Sequence, residues 1–308
     1  MSNFPELWKF FNGHIRCINL VTRKDRYDES LAVFKEFQIP VRYFITVKHP
    51  NGGGQGCFES HIQIIREAYY AGAERVLIFE DDIIASKSLT PANLEKAINF
   101  MTNTPDWDIF YLGVLPRILD TYSRRTSHNG IYQLKGICTH AYVVNRSAME
   151  KLIHLKFDGT TIDYYYINCF PKTYAVYPTL FYQGLSNSDI TAPQSYRKYF
   201  DKDKVIKFYR FIEWYAYYIN VPLNIIYPIL IAIVAWFVFK FHKRYNVKYL
   251  ILIILALFVI RTVTSVKHQN KAGCKHCDGQ SCDEEENSVT KLWLESCRRL
   301  ENHAILIE

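Results

Sequence analysis

Charge is absent from residues 221–239, VPLNIIYPILIAIVAWFVF, a run of 19 positions in a chain where 22% of residues are charged. A stretch that long and apolar nearly matches a ~30 Å hydrocarbon core, so the gap predicts a membrane helix, with a buried core helix as the competing reading. The start of the chain, MSNFPELWKFFNGHIRC, lacks the basic opening and apolar core of a secretory signal. A domain made before any hydrophobic segment is therefore expected on the cytosolic side of a membrane. Cys17, Cys57, Cys138 and Cys169 have no framework spacing, which argues against a disulfide scaffold and predicts a mostly reduced domain. Internal repeats and nucleic-acid motifs are missing. The run Gly52-Gly53-Gly54 lacks the Lys-Ser/Thr of a phosphate loop and is read as a mobile loop. The first 210 residues offer no second cluster rich in His and Asp, which a two-metal phosphoesterase would need.

Positive charge is in excess, with a formal net charge of +7. Arg197, Lys198, Lys202, Lys204, Lys207 and Arg210 precede the apolar block, and Lys240, Lys243, Arg244 and Lys248 follow it. Beside the tyrosines 209, 215, 217 and 218, this pattern suits anionic lipid headgroups and a membrane-interface belt better than nucleic acid. A second apolar run, Tyr249–Ile260, spans only if Arg261 snorkels and residues to Val266 join it; a re-entrant segment competes. If both runs cross, the basic linker KFHKRYNVK opposes the positive-inside tendency. The expected divisions are a catalytic domain over 1–210, membrane segments over 211–266 and a cysteine-containing tail over 267–308. In that tail, Cys274, Cys277 and Cys282 have partial zinc spacing; disulfides or free thiols are the alternatives.

Strand and helix patterns alternate from residue 14 to about 155. HIRCINL (14–20), VRYFITV (41–47), RVLIF (75–79), WDIFYLG (107–113) and HAYVV (140–144) read as strands. Between them lie a helix with Leu31, Phe34 and Phe37 on one face, one opened by Ser60 with Gln63, one opened by Thr90-Pro91, and one capped by Ser147 with Glu150. Such alternation predicts an α/β domain with a mainly parallel sheet, which binds ligands beyond the carboxyl ends of its strands.

Glu80-Asp81-Asp82 follows RVLIF directly. Carboxylates at a sheet edge are costly to desolvate without a positive partner, and hard oxygen donors suit Mg²⁺ or Mn²⁺. Solvated helix-start acids are the plain alternative.

The ordered segments INLVTRKDR (18–26), GCFESH (56–61) and LIFEDD (77–82) resemble glycosyltransferase family 25, as do YLG, HAYVVNRSAMEKL, TIDYYY and QGLSNSDI further on. The resemblance covers about 15–190. It implies a GT-A-like fold and an inverting, Mn²⁺-dependent transfer of a hexose, galactose or glucose, from a UDP-sugar to a hydroxyl on a glycan, glycolipid or collagen-like protein. Under it Glu80 and Asp82 would hold the metal, and Asp81 the ribose or metal-bound waters. Asn19, Arg26, Gly56, Ser60 and His61 would form the nucleotide side, although Ser60 also reads as a helix cap and His61 as a structural histidine. Asp163 would be the base, with Asp189 its rival. The competing class is a non-catalytic membrane protein whose transferase-like domain only binds. The resemblance does not extend to the apolar runs or the tail.

Overall fold

The computed structural model describes residues 3–104, 106–184, 202–241 and 288–304. In chain order come α1 (Phe4–Trp8), β1 (Ile15–Leu20), α2 (Lys24–Glu36), β2 (Arg42–Thr46), α3 (Gly53–Tyr70), β3 (Arg75–Glu80) and β4 (Ile83–Ala85). Then follow α4 (Pro91–Asn103), β5 (Ile109–Pro116), β6 (Arg124–Arg125), β7 (Ile131–Gln133), β8 (Gly136–Asn145), α5 (Arg146–Leu152), α6 (Ile162–Cys169), β9 (Thr173–Val176) and β10 (Phe181–Gln183). The last helices are α7 (Lys202–Trp214), α8 (Leu223–Phe241) and α9 (Ser288–Ala304).

Eight strands form one sheet in the order β2-β1-β3-β8-β5-β9-β7-β6, and β4 pairs with β10 in a separate ribbon. β1 runs parallel to β2 and β3, and β5 parallel to β9; β8 opposes β3 and β5, and β7 opposes β9 and β6. Strand direction is therefore shared by all but β8 and β7. The sheet is mixed but mostly parallel in sense, as the α/β pattern predicts.

Four successive apolar residues can all be buried in a strand only if both faces are covered. β3 does this by alternation. Val76 and Ile78 enter one core with Ile62 and Ile65 of α3, while Leu77 and Phe79 enter the other with Phe34 of α2 and Leu94 of α4. The result is a sheet sandwiched between two helical layers.

Two local expectations are corrected. α3 begins at Gly53, not Ser60, so most of the glycine run is helical rather than loop. Ser60 is internal, and its hydroxyl donates back to Gly56 O at 2.7 Å, satisfying itself within the helix instead of capping it. α5 is capped by Asn145, whose Oδ1 accepts the Ala148 N–H at 2.8 Å, rather than by Ser147. The pattern over Thr90-Pro91 holds: Thr90 Oγ1 accepts the Asn93 N–H at 3.3 Å and Pro91 opens α4.

α7 packs through Val205, Tyr209 and Glu213, one turn apart on a single face, and Glu213 accepts the Thr179 N–H. Among the described residues no single helix is long and apolar enough to cross a membrane; only the pair over Lys202–Ile219 and Leu223–Val234, bent by 88°, passes together on length and composition. α9 docks against β2, with Trp293, Leu294 and Cys297 buried and Trp293 Nε1 donating to Val47 O at 2.8 Å. Cys17, Cys57 and Cys138 are free, in line with a mostly reduced domain, and Cys169 is disulfide-bonded. The run 249–266, the zinc spacing of Cys274, Cys277 and Cys282, and Asp189 lie outside the described residues.

Candidate active site

β1 leads through α2 to β2 on one side, and β2 returns through α3 to β3 on the other side of β1. α2 and α3 cover opposite faces. The carboxyl ends of β1 and β3 thus flank a switch point, where an open sheet offers a crevice. An open cleft lies there, lined by Arg23, Arg26, Lys48, His49, Gly56, Cys57, Ser60, His61, Gln183 and the acids Glu80, Asp81 and Asp82. All three predicted acids face this cavity, as do Arg26, Gly56, Ser60 and His61 of the expected nucleotide side.

Gly56 is required by close approach: a Cβ there would lie 2.9 Å from His49 Cβ. That contact lets α3 press against the segment after β2 and turns Cys57, Ser60 and His61 toward β3.

The three acids are held differently. Asp81 is engaged on both oxygens, by Asn19 Nδ2 at 2.8 Å and Arg26 Nη1 at 3.0 Å. Burial raises its pKa, with Arg26 and Asn19 working against the rise. In this arrangement Asp81, itself on the cleft wall, holds Arg26 over the cleft. Asn19 reaches the site through Asp81 rather than lining it.

Asp82 has Arg26 at 3.6 Å and Gln183 Nε2 at 3.4 Å from Oδ2, while its Oδ1 is buried without a hydrogen-bond partner. Burial, then the Glu80 and Asp81 charges, push its pKa up to about 8. Glu80 is half-buried, and the partial loss of solvent works to raise its carboxyl, but His61, His140 and Thr139 hold it below its ordinary value. Thr139 Oγ1 lies 3.0 Å from Glu80 Oε1, and Gln183 Nε2 lies 3.4 Å from Oε2, so Gln183 spans Glu80 and Asp82.

A buried carboxylate oxygen with no donor, beside two further carboxylates, is costly to keep charged without more positive charge than Arg26 brings at 3.6 Å. The oxygen donor set of Glu80 and Asp82 fits Mg²⁺ or Mn²⁺. Lys48 and Arg23 line the same cleft, the Arg23 guanidinium being paired with both oxygens of Asp25.

Asp163 is not part of the cleft wall and meets Glu80 through a shared contact. It accepts the Cys138 N–H at 2.9 Å and lies 3.2 Å from the same Thr139 Oγ1 that serves Glu80. A hydroxyl has one proton to give, so Glu80 and Asp163 compete for it. Cys138 adopts φ +70°, a strained setting for a residue with a side chain, at a bulged part of β8. Burial raises the Asp163 pKa.

Sequence reasoning missed Arg23, Lys48, Cys57, Thr139 and Gln183. Arg23, Cys57 and Gln183 sit inside the quoted motifs, whereas Lys48 and Thr139 carry no pattern that would mark them.

Residues 29–165 match the model for "Glycosyltransferase family 25 (LPS biosynthesis protein)". No curated protein matches the sequence significantly. Among solved structures, a Thermus thermophilus protein titled a mannose-1-phosphate geranyltransferase is 15% identical, over 52% of this chain and 58% of that one, with a TM-score of 0.27. A glycosyltransferase involved in glycosylation of the major capsid of PBCV-1 is 14% identical, over 57% and 94%, with a TM-score of 0.34. The Drosophila β-1,4-galactosyltransferase 7 mutant, in complex with manganese, UDP-Gal and xylobiose, is 8% identical, over 60% and 79%, with a TM-score of 0.31. Scores this low carry no weight for the site. The ordered motifs and the family match together mark residues 29–165 of the chain as similar to glycosyltransferase family 25.

Proposed function

We propose that the cleft binds a UDP-sugar with a divalent cation, in a GT-A-like manner, and transfers galactose or glucose with inversion to a hydroxyl on a glycan, glycolipid or collagen-like protein. The observation that carries this reading is Asp82: a carboxylate with one buried, orphan oxygen, flanked by Glu80, in a cleft that Lys48 and Arg23 also line. Glu80 and Asp82 would hold Mn²⁺ or Mg²⁺, which when bound supplies charge neutralisation for a departing diphosphate. Arg26, pinned by Asp81, and Lys48 would orient that diphosphate. In a single displacement the acceptor oxygen bonds to the anomeric carbon as the bond to UDP breaks, and the acceptor proton must go to a carboxylate. Asp163, with its raised pKa, is the candidate base.

The solubilised protein, given Mn²⁺ and a panel of UDP-sugars, is expected to release UDP with UDP-galactose or UDP-glucose. Asp82→Ala should abolish release, and Asp163→Asn should slow it by about 10²–10⁴-fold. Release that persists in Asp82→Ala would remove the cation assignment.

We further propose that α7 and α8 meet a lipid surface. Phe208, Phe211 and Trp214 are exposed opposite the packed face of α7, Tyr218 is exposed just after it, and Ile225, Ile229, Leu230, Ile233 and Trp236 are exposed along α8. Lys202, Lys204, Lys207 and Arg210 share this end. Aromatic rings beside basic residues suit the headgroup boundary. Flotation with anionic vesicles should carry the protein, and replacing Phe208, Phe211 and Trp214 by Ser should weaken it. Equal flotation would remove the α7 assignment.

A further inference from the structure

Cys57 and His61 stand one turn apart on α3, a spacing that puts both on the same helix face. That face meets Glu80 at the end of β3. One donor atom from each of Cys57, His61 and Glu80 lies within 4.8 Å of the other two. Cys57 is a free, half-buried thiol, and the His61 ring is fully buried. His61 Nε2 has no hydrogen-bond partner, and its 3.5 Å approach to Glu80 Oε1 is too long for a good one.

The other ring nitrogen explains why Nε2 is left over. His61 Nδ1 lies 2.9 Å from Tyr142 Oη, which lies 2.9 Å from Tyr166 Oη, all three residues being buried. With Nδ1–H donating to Tyr142 and Tyr142 donating to Tyr166, the network is satisfied and Nε2 keeps a lone pair aimed at Cys57 and Glu80. A ligating histidine is oriented in this way by a partner on its far nitrogen. Glu80 Oε1 is steadied by Thr139.

We propose that Cys57, His61 and Glu80 form a second cation position, with sulfur, nitrogen and oxygen donors, that takes Zn²⁺. Three such ligands with the fourth position open to a cleft match a zinc site, and a thiolate with an imidazole selects Zn²⁺ or Co²⁺ over Mg²⁺. The Cys57 S–H bond is exchanged for a sulfur–metal bond and the proton leaves to solvent. Glu80 is shared: Oε1 faces this position, and Oε2 faces Asp82 through Gln183. The site stands on its own geometry and does not depend on the donor being a UDP-sugar.

The test is titration of the metal-free, full-length protein with Co²⁺ as a spectroscopic stand-in for Zn²⁺. The wild type is expected to take up one more equivalent than Cys57→Ser, with a near-ultraviolet thiolate-to-cobalt charge-transfer component absent from the variant and removed by Zn²⁺. His61→Gln should weaken that component's affinity by at least about tenfold, and Asp82→Asn should retain it. Thermal melts confirm that each variant is folded. Equal uptake and equal charge transfer in wild type and Cys57→Ser would overturn the proposal, as would loss of the band in folded Asp82→Asn.

Discussion

Asp82 shows how a functional side chain works against the fold that holds it. Burial and two neighbouring acids push its pKa up to about 8, well above that of an unfolded aspartate. A carboxyl with a raised folded value binds its proton more tightly when folded. Its contribution to stability is therefore full below the unfolded value near 4 and is lost as pH rises toward about 8. The metal-free protein is expected to melt lower at about pH 8 than at about pH 6, and Asp82→Asn to recover most of that loss at the higher pH. Melting curves at the two pH values check this; an equal drop in Asp82→Asn would assign the cost to another group. Which acid would be open was not legible from the triplet. The identity of the residues places three carboxylates at a strand end, but their partners come from Asn19 and Arg26, 62 and 55 positions away.

At the scale of single elements, α3 carries the cleft because of one glycine. Replacing a helical glycine by alanine ordinarily stabilises by up to about 1 kcal/mol. At Gly56 the added Cβ meets His49 Cβ at 2.9 Å, which requires backbone or a stiff atom to move. Gly56→Ala is expected to destabilise instead, by roughly 1–3 kcal/mol, read from denaturant midpoints; a more stable variant would show that α3 has room to shift. The start of α5 gives a second check. Asn145→Ala should cost about 1 kcal/mol through loss of its cap, while Ser147→Ala should cost much less. β3 and β5 were legible because burial on both faces writes continuous apolar runs, and β1 and β2 because buried and less buried positions alternate along them. α3 was misread because glycine reports on local backbone preference, whereas here tertiary packing against His49 decides. The short strands β6 and β7 left no periodicity to find.

Across the whole molecule, the last helix is tied to the cleft. Trp293 of α9 donates to Val47 O at 2.8 Å, and its ring sits 5.0 Å from that of His49, which lines the cleft. Trp293→Ala is expected to cost about 3–5 kcal/mol by the usual measure for a buried tryptophan, and to raise the donor KM more than it lowers kcat, since His49 and Lys48 would lose their support. An unchanged KM in a folded variant would separate α9 from the site. Nothing in the tail's sequence signals this docking, because its partner surface is formed by residues 246 positions earlier. The alternation of strand and helix did predict where a crevice opens, since two crossovers on opposite faces leave it at the same sheet edge. The central claim concerns what occupies that crevice. Titration of the metal-free protein with Mn²⁺, followed by the loss of the free-ion electron spin resonance signal with and without UDP, tests it most directly. The account predicts Mn²⁺ binding that tightens when UDP is present and disappears in Asp82→Ala. Binding that ignores UDP, or that Asp82→Ala leaves intact, would contradict it.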